Sequence, residues 1–238
     1  MAPCSRPVAA LTTAACAALT AAAALTGCGA LGQLGTAHYP AATSFTIDSR
    51  VTTLVIDAGS GSVDVTGADR STVGVSQQAS YTKTPPAPRH VLSGTTLTLS
   101  YGCPVELSCT ISYTVQVPRA VAVRVAGGAG AVTLTSLAGP ATAQTSAGLI
   151  TAVNLTSAEV SLKSDAGGII ATSSAPPLSL HASTSVGPIT LTVPGSVAYK
   201  ISTRTFVGTS NITVRKSARS PYAISASSDI GSISISPS

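Results

Sequence analysis

Apolar and polar residues alternate in short runs along this chain, and a glycine precedes most of these runs. The recurring phrase is a glycine, a variable residue, an apolar and often β-branched residue, another variable residue and a second apolar residue. Alternation with a period of two predicts a β-strand with one buried face, and the glycine predicts a turn before it. The turn glycines are Gly61, Gly130, Gly148, Gly167, Gly187, Gly208 and Gly231.

The spacing of these glycines predicts a repeat architecture. From Gly130 onward, successive turn glycines lie 18, 19, 20, 21 and 23 residues apart. A second alternating pair lies between successive glycines: Ala141 and Ala143, Val160 and Leu162, Leu178 and Leu180, Tyr199 and Ile201, Tyr222 and Ile224. We therefore predict an all-β fold, a β-solenoid or β-helix-like stack with two short strands in each repeat of about 20 residues. An elongated β-sandwich with evenly spaced turns is the alternative.

The first 27 residues have the composition of a secretory signal peptide. Residues 8–26 are mostly Ala, Leu, Thr and Val, and a single basic residue, Arg6, precedes them. They run into Leu25-Thr26-Gly27-Cys28, which resembles the lipobox of bacterial lipoproteins. The resemblance implies cleavage before Cys28 and diacylation of its thiol, and two acyl chains suffice for stable membrane attachment. An uncleaved anchor helix is the alternative.

The rest of the chain divides into three segments by composition. Residues 28–44 are rich in Gly, Ala, Pro and Thr, which is typical of a flexible tether. Residues 45–126 form an N-terminal β part that contains a hairpin closed by a disulfide. Residues 127–238 form the glycine-turn array, and we expect this array to continue 45–126 as one domain.

Two cysteines, Cys103 and Cys109, lie outside the signal peptide and the lipobox. An oxidising extracytoplasmic space favours their pairing. They bound a short loop between predicted strands at 95–101 and 110–117, so we predict a disulfide at the tip of a β-hairpin, contributing about 2 kcal/mol. A metal site is the alternative, but two thiols without nearby histidines are too few ligands.

The composition of the chain narrows the classes of ligand that it could bind. Charged residues make up 9% of the chain, and there is no tryptophan. Without a basic stripe or an aromatic platform, we expect no binding to nucleic acid. The densest cations are Arg215, Lys216 and Arg219, which we interpret as a solvated turn, with a contact to anionic wall polymer or lipid headgroups as the alternative. Tyr199 and Tyr222 occupy matching strand positions, and we predict that they stack in the core rather than forming a sugar-binding strip.

Candidate catalytic residues are few and scattered. Asp165 and Asp229 each lie two residues before a turn glycine, but Ser185 and Phe206 hold that position in the intervening repeats. The three histidines have no partner at a suggestive spacing, and no G-x-S-x-G motif is present. We predict no catalytic residue, no metal site and no cofactor. A β-helix enzyme acting on polysaccharides is a minor alternative.

About residues 45–236 of the chain resemble the DUF4097 "putative adhesin" family of bacterial envelope proteins. The resemblance rests on the segment Asp57-Ala58-Gly59-Ser60-Gly61-Ser62-Val63-Asp64-Val65, the V-x-V-P step at 115–118 and the Gly-x-Ile/Val ladder that begins at Gly130. It implies an all-β, surface-exposed domain with no established chemistry.

These patterns lead to two functional hypotheses. The first is a non-catalytic, extracytoplasmic lipoprotein, anchored to the bacterial membrane, that acts as an adhesin-like binding or structural module of the envelope. The second is a regulatory or sensory lipoprotein that engages a membrane protein, for example in envelope-stress signalling. A wall polymer and an envelope protein are the candidate partners. We also expect the final strand, 231–236, to leave an unpaired edge to which a partner could add a strand.

Overall fold

The alternating runs of the sequence are β-strands in the computed structural model, which describes residues 39–103 and 109–238. No part of these ranges forms a helix long and apolar enough to cross a membrane. In chain order the strands are β1 (Tyr39–Ile47), β2 (Thr53–Ser60), β3 (Val63–Ala68), β4 (Val73–Tyr81), β5 (Ala87–Ser93), β6 (Thr96–Gly102), β7 (Cys109–Pro118), β8 (Ala122–Ala129), β9 (Val132–Thr135), β10 (Ala141–Ala147), β11 (Ile150–Leu155), β12 (Glu159–Ala166), β13 (Ile169–Ser173), β14 (Ser179–Val186), β15 (Ile189–Val193), β16 (Lys200–Val207), β17 (Ser210–Ile212), β18 (Ala223–Ile230) and β19 (Ile233–Pro237). Since β1 begins at Tyr39, residues 39–44 of the predicted tether are strand rather than flexible chain.

The strands form two sheets. Sheet A has the order β1-β4-β7-β3-β9-β11-β13-β15-β19-β17, and sheet B has the order β16-β18-β14-β12-β10-β8-β2-β6-β5. Each glycine turn joins a strand of sheet B to the following strand of sheet A, so that the two strands make one coil. Neighbouring coils pair in parallel, while β1, β4 and β5 make antiparallel pairs at one end of the stack. The predicted all-β, repeat-built stack is confirmed.

The core lies between the two sheets. In sheet B the register aligns one row of inward side chains, none more than 3% exposed: Leu54, Val123, Ala141, Val160, Leu180 and Ile224. Sheet A supplies a matching row: Val63, Val132, Ile150, Ile169, Ile189 and Ile233. Each coil contributes only a few of these side chains, so its apolar face is buried by its neighbours. The described residues fall within one compact unit, Thr36–Ser238.

The order of the coils departs from the order of the chain at both ends of the stack. The β2–β3 coil lies between the β6–β7 and β8–β9 coils, and the β18–β19 coil lies between the β14–β15 and β16–β17 coils. The prediction that 231–236 forms an unpaired edge is therefore wrong. The strand β19 pairs with β15 on one side and with β17 on the other.

Two features of the sequence explain this insertion. The longest interval of the array, from Gly208 to Gly231, supplies the chain that steps back over the end coil. At the inward position where β18 carries the buried Ala226, β16 carries the half-buried Thr203. The more polar coil thus occupies the end of the stack, where one side of its inward face remains near water.

Candidate functional site

The turn glycines stack into a single ladder along one edge of the coils. Their φ angles lie between +137° and +156°, a range that side chains rarely adopt. A Cβ atom at Gly148 would overlap the carbonyl oxygen of Gly130, while the N–H of Gly148 donates to the Ala166 carbonyl at 2.9 Å. Each glycine therefore allows two neighbouring turns to touch through their backbones. The stacking order is Gly61, Gly130, Gly148, Gly167, Gly187, Gly231 and Gly208.

A row of buried hydroxyls beside this ladder was not predicted from the sequence. The Thr184 hydroxyl donates to the Gly167 carbonyl at 2.8 Å, and that of Ser228 donates to the Gly187 carbonyl at 3.0 Å. These bonds satisfy carbonyls at the turns, where a buried polar group without a partner is costly. The signal is a Ser or Thr three residues before a turn glycine, at Thr145, Ser164, Thr184, Thr205 and Ser228.

The predictions made for the cysteines differ in their outcome. Cys28, the predicted lipid attachment site, lies outside the described residues. Cys103 and Cys109 form the predicted disulfide, with their Cα atoms 5.8 Å apart. The predicted hairpin is wrong, because β6 lies in sheet B and β7 in sheet A. The disulfide instead links the end of a strand of sheet B to the start of a strand of sheet A.

The two tyrosines at matching positions lie in or against the core, as predicted. Tyr199 is fully buried, its ring lies 6.1 Å from that of Tyr222, and its hydroxyl donates to the Pro194 carbonyl at 2.8 Å. Burial, with a smaller contribution from Tyr222, raises the pKa of Tyr199 above its ordinary value. This pair therefore anchors the last turns of the chain to the stack.

The candidate catalytic groups are not brought together. Asp165 pairs with Lys163 at 3.7 Å, and Ser185 on β14 separates it from Asp229. The ring of His90 packs against Phe45, with centroids 4.6 Å apart. Within 39–103 and 109–238, no three His, Cys, Asp or Glu side chains form a group that could hold a metal ion.

A shallow polar groove crosses the outer face of sheet B. Its volume is about 540 Å³. One outward position on four neighbouring strands forms its main row: Arg124, Thr142, Ser161 and His181. The two short hydroxyl side chains lie between the two long ones, which creates the depression. Ala122, Pro140, Glu159 and Ser179 also line it.

The groove offers several kinds of polar group at fixed intervals. Neighbouring strands are about 4.8 Å apart, so the four side chains of the row span about 14 Å. A guanidinium donates hydrogen bonds, a carboxylate accepts them, and hydroxyls and imidazole do both. This mixture suits a ligand that carries many hydroxyls, such as a glycan. It was not predicted from the sequence, although Arg124, Thr142, Ser161 and His181 each lie six residues before a turn glycine.

An exposed group of apolar side chains lies beside the end of the glycine ladder, and we call it the apolar corner. It consists of Val186, Phe206, Val207 and Ile230, which are between 50% and 66% exposed. Ile230 is the strand partner of both valines. The guanidinium of Arg204 lies 4.5 Å from the centre of the Phe206 ring. Residues before the earlier turn glycines are Ser or Ala, so the change to Val and Ile marks this corner in the sequence.

A solved structure of a bacterial protein has the same fold as this chain. The chain matches a "putative cell adhesion protein" from Clostridium sporogenes with a TM-score of 0.53 and 12% identity, over 84% of this chain and 100% of that one. A "putative adhesin" from Bacteroides fragilis matches with a TM-score of 0.48 and 14% identity, over 84% of this chain and 97% of that one. No family model and no curated protein matches the chain. At this level of identity, the chain shares the fold of the clostridial protein.

Proposed function

We propose that this chain is a non-catalytic, lipid-anchored protein of the bacterial cell surface that binds a glycan of the envelope, as an adhesin-like module. The polar groove on sheet B is the observation that carries this proposal. The fold shared with a protein named for cell adhesion, and the resemblance to the DUF4097 family, support the same conclusion.

The construction of the groove suits binding to an extended polymer. Arg124 and His181 stand on strands that are hydrogen-bonded on both sides, so their spacing is fixed before a ligand arrives. Pre-organised groups lose little conformational entropy on binding. A row that repeats at the spacing of the strands can contact successive hydroxyls of one glycan chain.

The anchor is tested by replacing Cys28 with serine. We expect the Cys28→Ser protein to lose incorporation of a labelled fatty acid, because serine has no thiol to acylate. Fractionation of cells and fluorography measure this directly. The Cys16→Ser protein, changed within the predicted signal peptide, is the matched control and should label as the original does. Fatty-acid labelling of Cys28→Ser at the original level would contradict the lipobox.

The groove is tested by replacing its two long side chains together. We expect Arg124→Ala/His181→Ala to weaken retention of the unit 36–238 on isolated cell wall about thirtyfold. Two lost hydrogen-bonding groups at about 1 kcal/mol each give a change of this order. Co-sedimentation over a range of wall concentrations measures the affinity.

The matched control is Arg50→Ala/His90→Ala, which removes the same residue types outside the groove. This control should bind like the original protein. Equal losses in both variants would show that the groove is not the binding site.

A second candidate function is engagement of an envelope protein, and the apolar corner favours it. Three strand-paired exposed side chains, Val186, Ile230 and Val207, and the nearby Phe206, 66% exposed, form a surface typical of a contact site. This is the surface that a regulatory lipoprotein would offer to a membrane protein. If the protein were not retained on cell wall, engagement of an envelope protein would be the better-supported function.

A further inference from the structure

The positive charge of this chain is concentrated near its C-terminus. Residues 194–238 hold five of the 13 Lys and Arg residues and one of the 8 carboxylates. They therefore carry +4 of the formal net charge of +5. In the sequence these cations are spread over 20 residues. The fold brings them close together.

The fold gathers these cations at one end of the stack, which we call the basic end. Lys200 and Arg204 lie on β16, the last strand of sheet B. Lys216 bridges to Tyr199, next to Lys200, and Arg215 donates to the Gly195 and Ser196 carbonyls. All members of the basic end are exposed: Lys200, Arg204, Arg215, Lys216 and Arg219.

None of these cations is neutralised within the described part of the chain. The two ion pairs there join Arg119 to Asp69 at 2.8 Å and Lys163 to Asp165 at 3.7 Å, both on other coils. Like charges that crowd one end of a fold repel each other and lower its stability. Arg215 braces the turn beside Tyr199, whereas no side-chain hydrogen bond or ion pair holds Lys200, Lys216 or Arg219 among the described residues.

The positive charge also limits which molecules can bind along the open edge of β16. Two copies of the chain that met end to end through this strand would bring two basic ends together. Like charges facing each other across an interface oppose association. The basic end therefore selects an anionic occupant.

We propose that the basic end binds a phosphate-bearing envelope polymer, in which phosphodiesters link sugar or polyol units. The strand β16 is about 26 Å long, so its cations and those of the returning segment can contact several successive phosphates. The cation–ring pair of Arg204 and Phe206 offers a phosphate contact beside an apolar face for the carbons of one unit. This adds a second binding site to the groove of the proposed function and rests only on the cell-surface location proposed there.

The topology favours a polymer over the bilayer that holds the proposed anchor. The chain enters the stack through β1, at the end of sheet A opposite β17. The described strand closest in sequence to Cys28 is therefore the strand farthest from the basic end.

The test compares the unit 36–238, which contains all of the described core, with its Lys200→Gln/Lys216→Gln/Arg219→Gln variant. The probe is purified poly(glycerol phosphate), and fluorescence anisotropy measures its binding. We expect the affinity of the original protein to fall as salt is added, because the contacts are screened. The variant should bind about tenfold more weakly, which corresponds to about 0.5 kcal/mol for each exposed charge.

The matched control, Arg50→Gln/Lys83→Gln/Arg89→Gln, removes the same charge from exposed sites elsewhere. It should bind the polymer within twofold of the original. Equal weakening of both variants would overturn the proposal, because net charge alone would then explain binding. Tighter binding to vesicles of phosphatidylglycerol than to the polymer would overturn it in favour of a membrane contact.

The proposal and the proposed function can fail separately. Groove-dependent retention on cell wall without binding to poly(glycerol phosphate) would overturn the basic end and leave the proposed function standing. Binding to the polymer that depends on the basic end, with no effect of the groove variant on wall retention, would support the basic end and contradict the groove.

Discussion

Replacing Gly148 with alanine is expected to lower the free energy of unfolding by more than about 4 kcal/mol, or to prevent folding. A Cβ atom there would overlap the Gly130 carbonyl oxygen, which belongs to the backbone of the neighbouring turn and cannot rotate away. The φ of +148° adds backbone strain for any other residue. Because each turn rests on the next, one misplaced turn disturbs the register of the coils on both sides. Urea unfolding followed by circular dichroism measures the loss.

The matched control for this substitution is Gly94→Ala. Gly94 also has a positive φ, +58°, but a Cβ atom there would meet nothing within 4 Å. Its replacement should cost about 1 kcal/mol through backbone conformation alone. A loss at Gly148 no larger than the loss at Gly94 would contradict the close contact between stacked turns.

Removal of residues 231–238 is expected to destabilise the last three coils together. The strand β19 buries Ile233 and Ile235 and is the partner of both β15 and β17. Loss of two buried isoleucine side chains alone costs about 5 kcal/mol or more, and β17 also loses its strand partner. Amide hydrogen exchange should show lost protection in β14–β18, with the earlier coils still protected.

The control for the truncation keeps the strand and changes its other face. The triple variant Ser232→Ala/Ser234→Ala/Ser236→Ala alters outward positions of the same segment and should retain protection near that of the original chain. If the truncated protein kept its protection in β14–β18, the pairing of β19 with both β15 and β17 would be contradicted.

The repeat could be predicted from the sequence because its signals are local. A turn glycine such as Gly148 is required by the φ of its own residue, and alternation such as Val160-x-Leu162 depends only on which face is buried. These signals predict where each coil begins and which of its side chains face the core. They also align Arg124 with Thr142, so the rows of the outer face follow once the coils are known to stack in order.

The order of the coils could not be predicted in the same way. Gly231 stacks on Gly187 and Gly208 stacks on Gly231, although both carry the same local phrase, and this order depends on contacts between distant segments. The prediction of a hairpin at Cys103 and Cys109 was wrong for a related reason. A short loop closed by a disulfide can join two paired strands or the two sides of one coil, and only the neighbouring strands decide between these.

The basic end depends on this order as well. Lys200 lies about 15 residues from the segment 215–219, and nothing local indicates that the two meet. If the coils followed the chain, β16 would be an interior strand and β18, with Asp229 and no cation, would close the stack.

The order of the last coils is therefore the claim on which the account most depends, and engineered disulfides test it directly. In the structure Ser225 on β18 is the strand partner of His181 and of Ser202. We predict that a His181→Cys/Ser225→Cys protein forms a disulfide under mild oxidation, because Cα atoms on neighbouring strands are about 5 Å apart. The His181→Cys/Ser202→Cys protein should not, because its cysteines lie two strands, or about 10 Å, apart. The opposite result, a cross-link between 181 and 202 but none between 181 and 225, would contradict the inserted coil and the basic end derived from it.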